Sequence, residues 1–278
     1  MEIKMISRRS LRAIKPVYAT YNLYKYVLYR FNLAVATLGD WRDRQNGASM
    51  PLPPARLRHR VHGSLDKESF LETGKIVAQN VRDLCVMGGR ELYAFEHVLD
   101  FGCGCGRVLR NFQDAPASCN LYGTDIDSEL IDWCKSNLKD MCWSTNGFQP
   151  PLPFENDTFD LIYSISVFTH LDEEFQHAWL RELQRVARPG ATLILSVHGE
   201  STVGVLDPLV QQEVKEKGFL YITGAQGKLK LDGLPDFYQT TFHTPDYVKR
   251  TWSNYFDIVR YIERGINSHQ DVVILRKG

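Results

Sequence analysis

The stretch Val98-Leu99-Asp100-Phe101-Gly102-Cys103-Gly104-Cys105-Gly106-Arg107 constrains this chain more than any other. An apolar run ends in an aspartate and passes at once into three glycines at alternate positions. A short apolar run that halts at glycine reads as a buried strand. The glycines let the backbone turn tightly and let a ligand approach it closely. Arg107–Phe112 then reads as the start of a helix, whose first N–H groups have no partner within it. Strand, glycine turn and helix start together suit a nucleotide-like ligand.

The remaining pattern extends this unit. His97–Phe101, Asn120–Asp125, Cys142–Thr145, Phe159–Ser164 and Ala191–Val197 read as strands. Ser128–Asn137 and Asp172–Arg188 read as helices between them. In the second, Phe175, Trp179, Leu183 and Val186 recur at helical spacing before Pro189-Gly190 stops the run. Such alternation argues for a parallel sheet covered by helices on both faces. Upstream, residues 16–38 are predicted helical, with Tyr18, Tyr21, Leu28 and Phe31 sharing a face. Residues 45–57 read as a linker, and Asp66 can cap a helix running to about Leu84. Downstream, 218–243 reads as a hairpin-like insertion, and Thr244-Pro245 opens a helix through Trp252. Ile258–Ile262 and Val272–Leu275 close the chain as strands joined by a turn too short for a crossover, so they should pair antiparallel.

Hydrophobic content of 44% and charged content of 24% exclude a disordered or collagen-like chain. No run approaches the roughly 18 uninterrupted apolar residues that read as a membrane span. The 33 basic and 33 acidic residues cancel, but unevenly. Residues 1–60 hold twelve Lys/Arg against three Asp/Glu, leaving 21 against 30 for the rest. The basic arm implies either an anionic partner or docking of the arm on its own body. The acidic body speaks against a broad nucleic-acid groove. The six cysteines show no zinc or cluster spacing, so no metal is expected, and they read as reduced, mostly buried thiols of a cytoplasmic protein.

The glycine pattern differs from a dinucleotide fingerprint. It runs DxGxGxG, and a carboxylate at the strand end would repel a pyrophosphate but suit an ammonium group. Asp125 ends the next strand, where a carboxylate can accept from both ribose hydroxyls. A ligand with a ribose and a cationic amino-acid end, but no diphosphate, fits S-adenosylmethionine. Residues 98–197 resemble the class I S-adenosylmethionine-dependent methyltransferases of the small-molecule type. The resemblance rests on VLDFGCGCGRVL (98–109), GTDID (123–127), PLPFENDTFDLIYSISVFTHL (151–171) and LQRVARPGATLILSVH (183–198). It implies a three-layer α/β fold, with a doubly wound seven-stranded sheet ordered 3-2-1-4-5-7-6 and strand 7 antiparallel. One methyltransferase domain would then span 61–278, with a lid-like insertion at about 218–243, behind a basic helical extension over 1–60. The resemblance also implies that Asp100, Gly102, Cys103, Gly104 and Gly106 cradle the methionine part. Asp125 would hold the ribose and Ile126 would pack on adenine, with Asn146, Gly147 and Phe148 nearest its amino group. Ser164 or Ile165 would offer a carbonyl to the ammonium.

Three histidines are candidate bases. His170 follows the strand ending at Ser164, His198 follows the strand ending at Val197, and His243 lies in the insertion. Glu200 and Tyr238 are candidate substrate contacts. Tyr21 belongs to a tyrosine-rich stretch that could cap the pocket, although a packing face is the favoured reading. Asp160 lies at the opposite end of its strand, which favours a structural role. No [ND]PP[YF] follows Ser164 and no Pro-Cys pair is present, which speaks against exocyclic base amines, glutamine amides and cytosine carbon as acceptors. The expectation is methyl transfer to a small molecule, with an oxygen acceptor weakly favoured. The alternatives are a membrane-peripheral enzyme with a lipid-like substrate, or a protein that binds the cofactor without transferring its methyl.

Overall fold

The structure, a computed structural model, describes residues 15–45, 50–223 and 239–278. The chain divides into two compact units, residues 1–67 and 68–278.

In the first unit, α1 (Lys15–Gln45) is followed by α2 (Ala55–His62). A buried ion pair ties them: Arg58 Nη1 donates to Asp40 Oδ2 at 2.9 Å, and Ala55 N donates to the same oxygen at 3.1 Å. Asp40 lies beyond the end expected at residue 38, and this anchorage accompanies the continuation of α1 through Gly39 to Gln45. The face expected to pack does so only in part, and the Tyr18 side chain lies outside the described residues. Leu28 is 43% and Phe31 65% exposed, while Tyr21 is half-buried.

The second unit opens with α3 (Lys67–Met87), which buries Phe70, Val77, Val81 and Leu84 as the periodicity predicts. The strands β1 (His97–Phe101), β2 (Asn120–Asp125), β3 (Cys142–Thr145) and β4 (Phe159–Ser164) follow, with α4 (Ser128–Asn137) between β2 and β3. Next come α5 (Glu173–Val186), β5 (Ala187–Val197), α6 (Glu200–Val203), α7 (Pro208–Lys217), β6 (Phe219–Ile222), β7 (Thr240–His243), α8 (Pro245–Trp252), β8 (Asp257–Ile266) and β9 (Gln270–Arg276). The main sheet runs β3-β2-β1-β4-β5-β9-β8, with β9 antiparallel to both neighbours. Because β6 and β7 pair separately, this is the expected seven-stranded order. One face is covered by Phe101, Trp179, Leu183, Val248 and Trp252, and the other by Val77, Val81, Leu84, Phe112 and Ile131. Full burial of such side chains stabilises by about 1.5–3 kcal/mol each.

Two expectations fail locally. Arg107–Phe112 does not start a regular helix; only a 3₁₀ turn, Leu109–Asn111, forms. Asn111 Nδ2 donates to the Arg107 carbonyl at 2.9 Å, occupying the acceptor that an α-helical turn would use. The strand before His198 starts at Ala187 rather than Ala191, so Pro189-Gly190 lies inside β5. A register shift against β4 between Phe159 and Leu161 accommodates it, and Gly190 takes a positive φ of 78°.

Candidate active site

The site forms at the carboxyl ends of the parallel strands, where open α/β sheets bind ligands. Asp100 stands in register between Gly123 on β2 and Tyr163 on β4. It is buried, and Tyr163 Oη donates to Asp100 Oδ2 at 3.0 Å. Desolvation pushes its carboxyl up to about 8, against the smaller opposing effect of the tyrosine. At neutral pH Asp100 therefore holds a proton until a cation arrives beside it.

The glycine turn follows immediately. Gly102, Gly104 and Gly106 have φ of 82°, 56° and 72°, a region that side chains disfavour. A Cβ on Gly102 would stand 2.2 Å from Val167 Cγ2, so the segment after β4 lies directly against this residue. The turn is fastened to β2: Gly102 N and Cys103 N both donate to the Thr124 carbonyl, at 2.8 and 3.0 Å. Asp125 Oδ2 accepts from Gly104 N at 2.8 Å, and its Oδ1 from Asp127 N at 2.9 Å. Asp125 is half-buried, and desolvation pushes its carboxyl up to about 6. A glycine cradle flanked by one buried and one half-buried carboxylate fits S-adenosylmethionine, whose ammonium and ribose hydroxyls are donors.

The adenine side is less direct. Asn146 is buried, its Oδ1 accepting from Thr124 Oγ1 and its Nδ2 donating to the Gly147 carbonyl, each at 2.8 Å. Its side chain thus braces β2 against the segment after β3. Gly147 and Phe148 are exposed, and Ile126 is half-buried beside Asp125. On β4, the Ser164 hydroxyl donates to the Phe101 carbonyl at 2.8 Å. Ile165 is half-buried. The Cys103 thiol is buried and pushed well up by desolvation, so it stays protonated. Five of the six cysteines are buried, Cys142 being exposed. Among the described residues no three metal-ligating side chains gather as a metal site.

The structure brings His170 and His198 together, with ring centroids 6.1 Å apart. Strand β7 crosses over both. Thr241 N donates to the Thr169 carbonyl at 2.8 Å, and His243 N to the His198 carbonyl at 2.9 Å. This strand also orients the rings, since His170 Nδ1 meets the Gln239 carbonyl at 2.5 Å and His198 Nδ1 the Thr241 carbonyl at 3.2 Å. A carbonyl only accepts, so each Nδ1 carries the proton and each Nε2 is the basic nitrogen. Desolvation lowers both imidazoles to about 4, keeping them neutral at pH 7.

His243 is different. It is fully buried among Phe219, Tyr247 and Trp252, and its Nε2 donates to Gln176 Oε1 at 3.0 Å. A fully buried ring cannot reach a ligand, so the base expected at His243 is a packing residue of the core. Glu200 is exposed at the start of the short α6. Tyr238 lies outside the described residues, and Tyr21 lies on α1 in the first unit. Asp160 sits at the opposite sheet edge, accepting from His97 N at 2.8 Å and Glu96 N at 3.0 Å and facing Arg90.

Sequence reasoning missed Tyr163 and His269. The partnership of Tyr163 with Asp100 follows from strand register, which a single sequence does not display. His269 sits in the β8–β9 turn, 6.2 Å from His198 between ring centroids. No local signal joins residues 71 positions apart.

Residues 98–190 match the model of a methyltransferase domain family. Over 113 residues the chain is 32% identical to a sterol 4-C-methyltransferase of Caenorhabditis elegans, covering 38% of this chain and 32% of that protein. Over 103 residues it is 27% identical to a malonyl-[acyl-carrier protein] O-methyltransferase of Hahella chejuensis, covering 36% of each. The chain thus spans about a third of the length of these curated relatives. The fold is similar to that of an S-adenosylmethionine-dependent methyltransferase from Clostridium acetobutylicum, with a TM-score of 0.51 at 10% identity over 73% of this chain and 92% of that one. Sheet order, glycine turn and family match agree: residues 98–190 are a methyltransferase domain, set in a sheet with the order of the class I S-adenosylmethionine-dependent fold.

Proposed function

We propose that this protein transfers a methyl group from S-adenosylmethionine to an oxygen of a small-molecule acceptor, with His198 as the base. The observation that carries the choice of oxygen is the neutral His198, oriented through Nδ1 and standing beside His170 at the carboxyl ends of β4 and β5. The curated relatives alone do not select an acceptor, since one is named for carbon and another for oxygen methylation.

When bound, S-adenosylmethionine supplies a methyl group on a sulfonium, electrophilic without further activation. The work left to the chain is to hold an acceptor in line behind that methyl and to exclude water. Asp100, the turn Gly102–Gly106 and Asp125 hold the cofactor. Strand β7, hydrogen-bonded across Thr169 and His198, roofs the acceptor side. His198 Nε2 would take the proton of the acceptor hydroxyl, becoming imidazolium, as that oxygen accepts the methyl group the cofactor supplies. Glu200 and Tyr238 are the proposed acceptor contacts.

The test is labelled methyl transfer to a panel of phenols, alcohols, carboxylates, amines and activated carbon acids. An oxygen acceptor should turn over, and His198→Gln should lower kcat about a hundredfold or more while leaving the cofactor Kd nearly unchanged. Transfer only to carbon or nitrogen, or full turnover by the variant, would refute this assignment.

A further inference from the structure

Helix α1 is apolar on the wrong side for a helix that only packs within its own chain. Its half-buried positions are Tyr21, Lys25, Tyr29, Leu33 and Ala36, leading to buried Asp40. At 100° per residue these fall on one side of the helix. The other side carries Leu23, Tyr24, Val27, Phe31, Val35, Leu38 and Trp41, which are 53–65% exposed. With Leu28 they form one arc of about 140°, and from Leu23 to Trp41 the stripe runs about 27 Å along the axis. A surface helix normally buries such a stripe. A contiguous exposed apolar patch on this scale marks a site of interaction.

Charge selects the occupant. Residues 16–39 contain Lys25 and Arg30 and no Asp or Glu. Arg42 extends the stripe at its far end and is exposed. Asp40, the first acidic residue beyond, is buried against Arg58. The twelve basic residues of 1–60 therefore face only three acids, one of them buried in an ion pair. A second copy of α1 would bring Arg30 and Arg42, which border and extend the stripe, against like charges, and residues 16–39 offer no acid to pair with them. An anionic bilayer surface meets both demands, taking the apolar side chains among its acyl chains and the basic residues among its headgroups. The aromatic rings of Tyr24 and Trp41 suit that boundary, where one end of the side chain is apolar and the other wet. No described helix is long and apolar enough to cross a membrane, so the mode is in-plane rather than spanning.

We infer that α1 binds the surface of an anionic phospholipid membrane through its exposed apolar stripe. This is independent of the methyl acceptor. Of the two readings of the basic arm, it favours an anionic partner.

The experiment is co-sedimentation of the full-length protein with vesicles of phosphatidylcholine alone or with about 30% phosphatidylserine, at low salt and at about 0.5 M salt. Binding to the phosphatidylserine vesicles is expected at low salt, at least about tenfold weaker on neutral vesicles and in high salt. Phe31→Asp with Leu38→Asp should abolish it while leaving Tm unchanged, since both sites are exposed. Absence of binding to anionic vesicles at low salt would overturn the inference. So would equal binding to neutral vesicles, or undiminished binding by the folded double variant. Sedimentation velocity without lipid supplies the other arm. A dimer dissolved by the same substitutions, with no vesicle binding, would assign the stripe to a second copy of this chain.

Discussion

Asp100 holds its proton near neutrality because it is buried, with Tyr163 as the hydrogen-bond donor. A cofactor ammonium placed beside it stabilises the carboxylate and expels that proton. Binding at pH 7 should therefore release close to one proton, and affinity should rise as pH rises through about 8. Calorimetry in buffers of different ionisation heat checks this, and Asp100→Asn should remove the proton release. Unchanged release in that variant would disprove the assignment. Asp125 acts through charge and through its bond from Gly104 N. Asp125→Asn should weaken cofactor binding by about 1.5–3 kcal/mol, roughly ten- to a hundredfold in Kd. Unchanged affinity would refute the placement of the ribose.

The glycine turn works as an element because its backbone has no room for side chains. Gly102→Ala introduces a Cβ at positive φ and into Val167, so destabilisation of about 2–4 kcal/mol is expected from strain and overpacking together. Urea unfolding measures it, and Val167→Ala in the same chain should restore part of the loss. No restoration would mean that the segment after β4 does not press on the turn. The insertion shows the same logic. Its strands β6 and β7 were legible from apolar runs between glycines, but the docking of β7 across the ends of β4 and β5 was not. That contact is made by backbone groups of residues 45 to 72 positions apart, Thr241 with Thr169 and His243 with His198, which no local pattern encodes.

Across the whole molecule, buried ionisable groups shape the dependence of stability on pH. His170, His198 and His243 are lowered by desolvation to about 4, 4 and 3. The stability that depends on their neutrality is present above the unfolded value of about 6.5 and is lost as pH falls towards the folded values. Asp100 and Asp125, raised to about 8 and about 6, act with the opposite sign. Their contribution is present below about 3.8 and is lost as pH rises through the folded values. The chain without cofactor should be most stable near pH 6.5, with Tm falling towards pH 5 and, more gently, towards pH 8. Thermal melts across this range test the balance. Asp100→Asn should flatten the alkaline side, and a profile unaltered by that variant would exclude Asp100 as its cause.

The sequence by itself determined the sheet and the glycine turn, because both follow from local rules. An apolar run ended by glycines and an aspartate at each of two strand ends are readable within a few residues, and the helix boundaries at Asp127, Asp172 and Thr244 follow from side chains capping their own turns. It misread Arg107–Phe112, where the Asn111 side chain took the carbonyl that a helix needs. What only the tertiary structure decided was where the three histidines lie relative to one another and to the core. His170, His198 and His243 look alike in sequence, but His243 is fixed in the core by Gln176 while the other two are drawn together under β7. The same holds for α1, whose apolar period predicted a buried face. Only the fold shows that its packing side is the one with Asp40 and that the apolar arc is left outside, since burial depends on what lies opposite a residue.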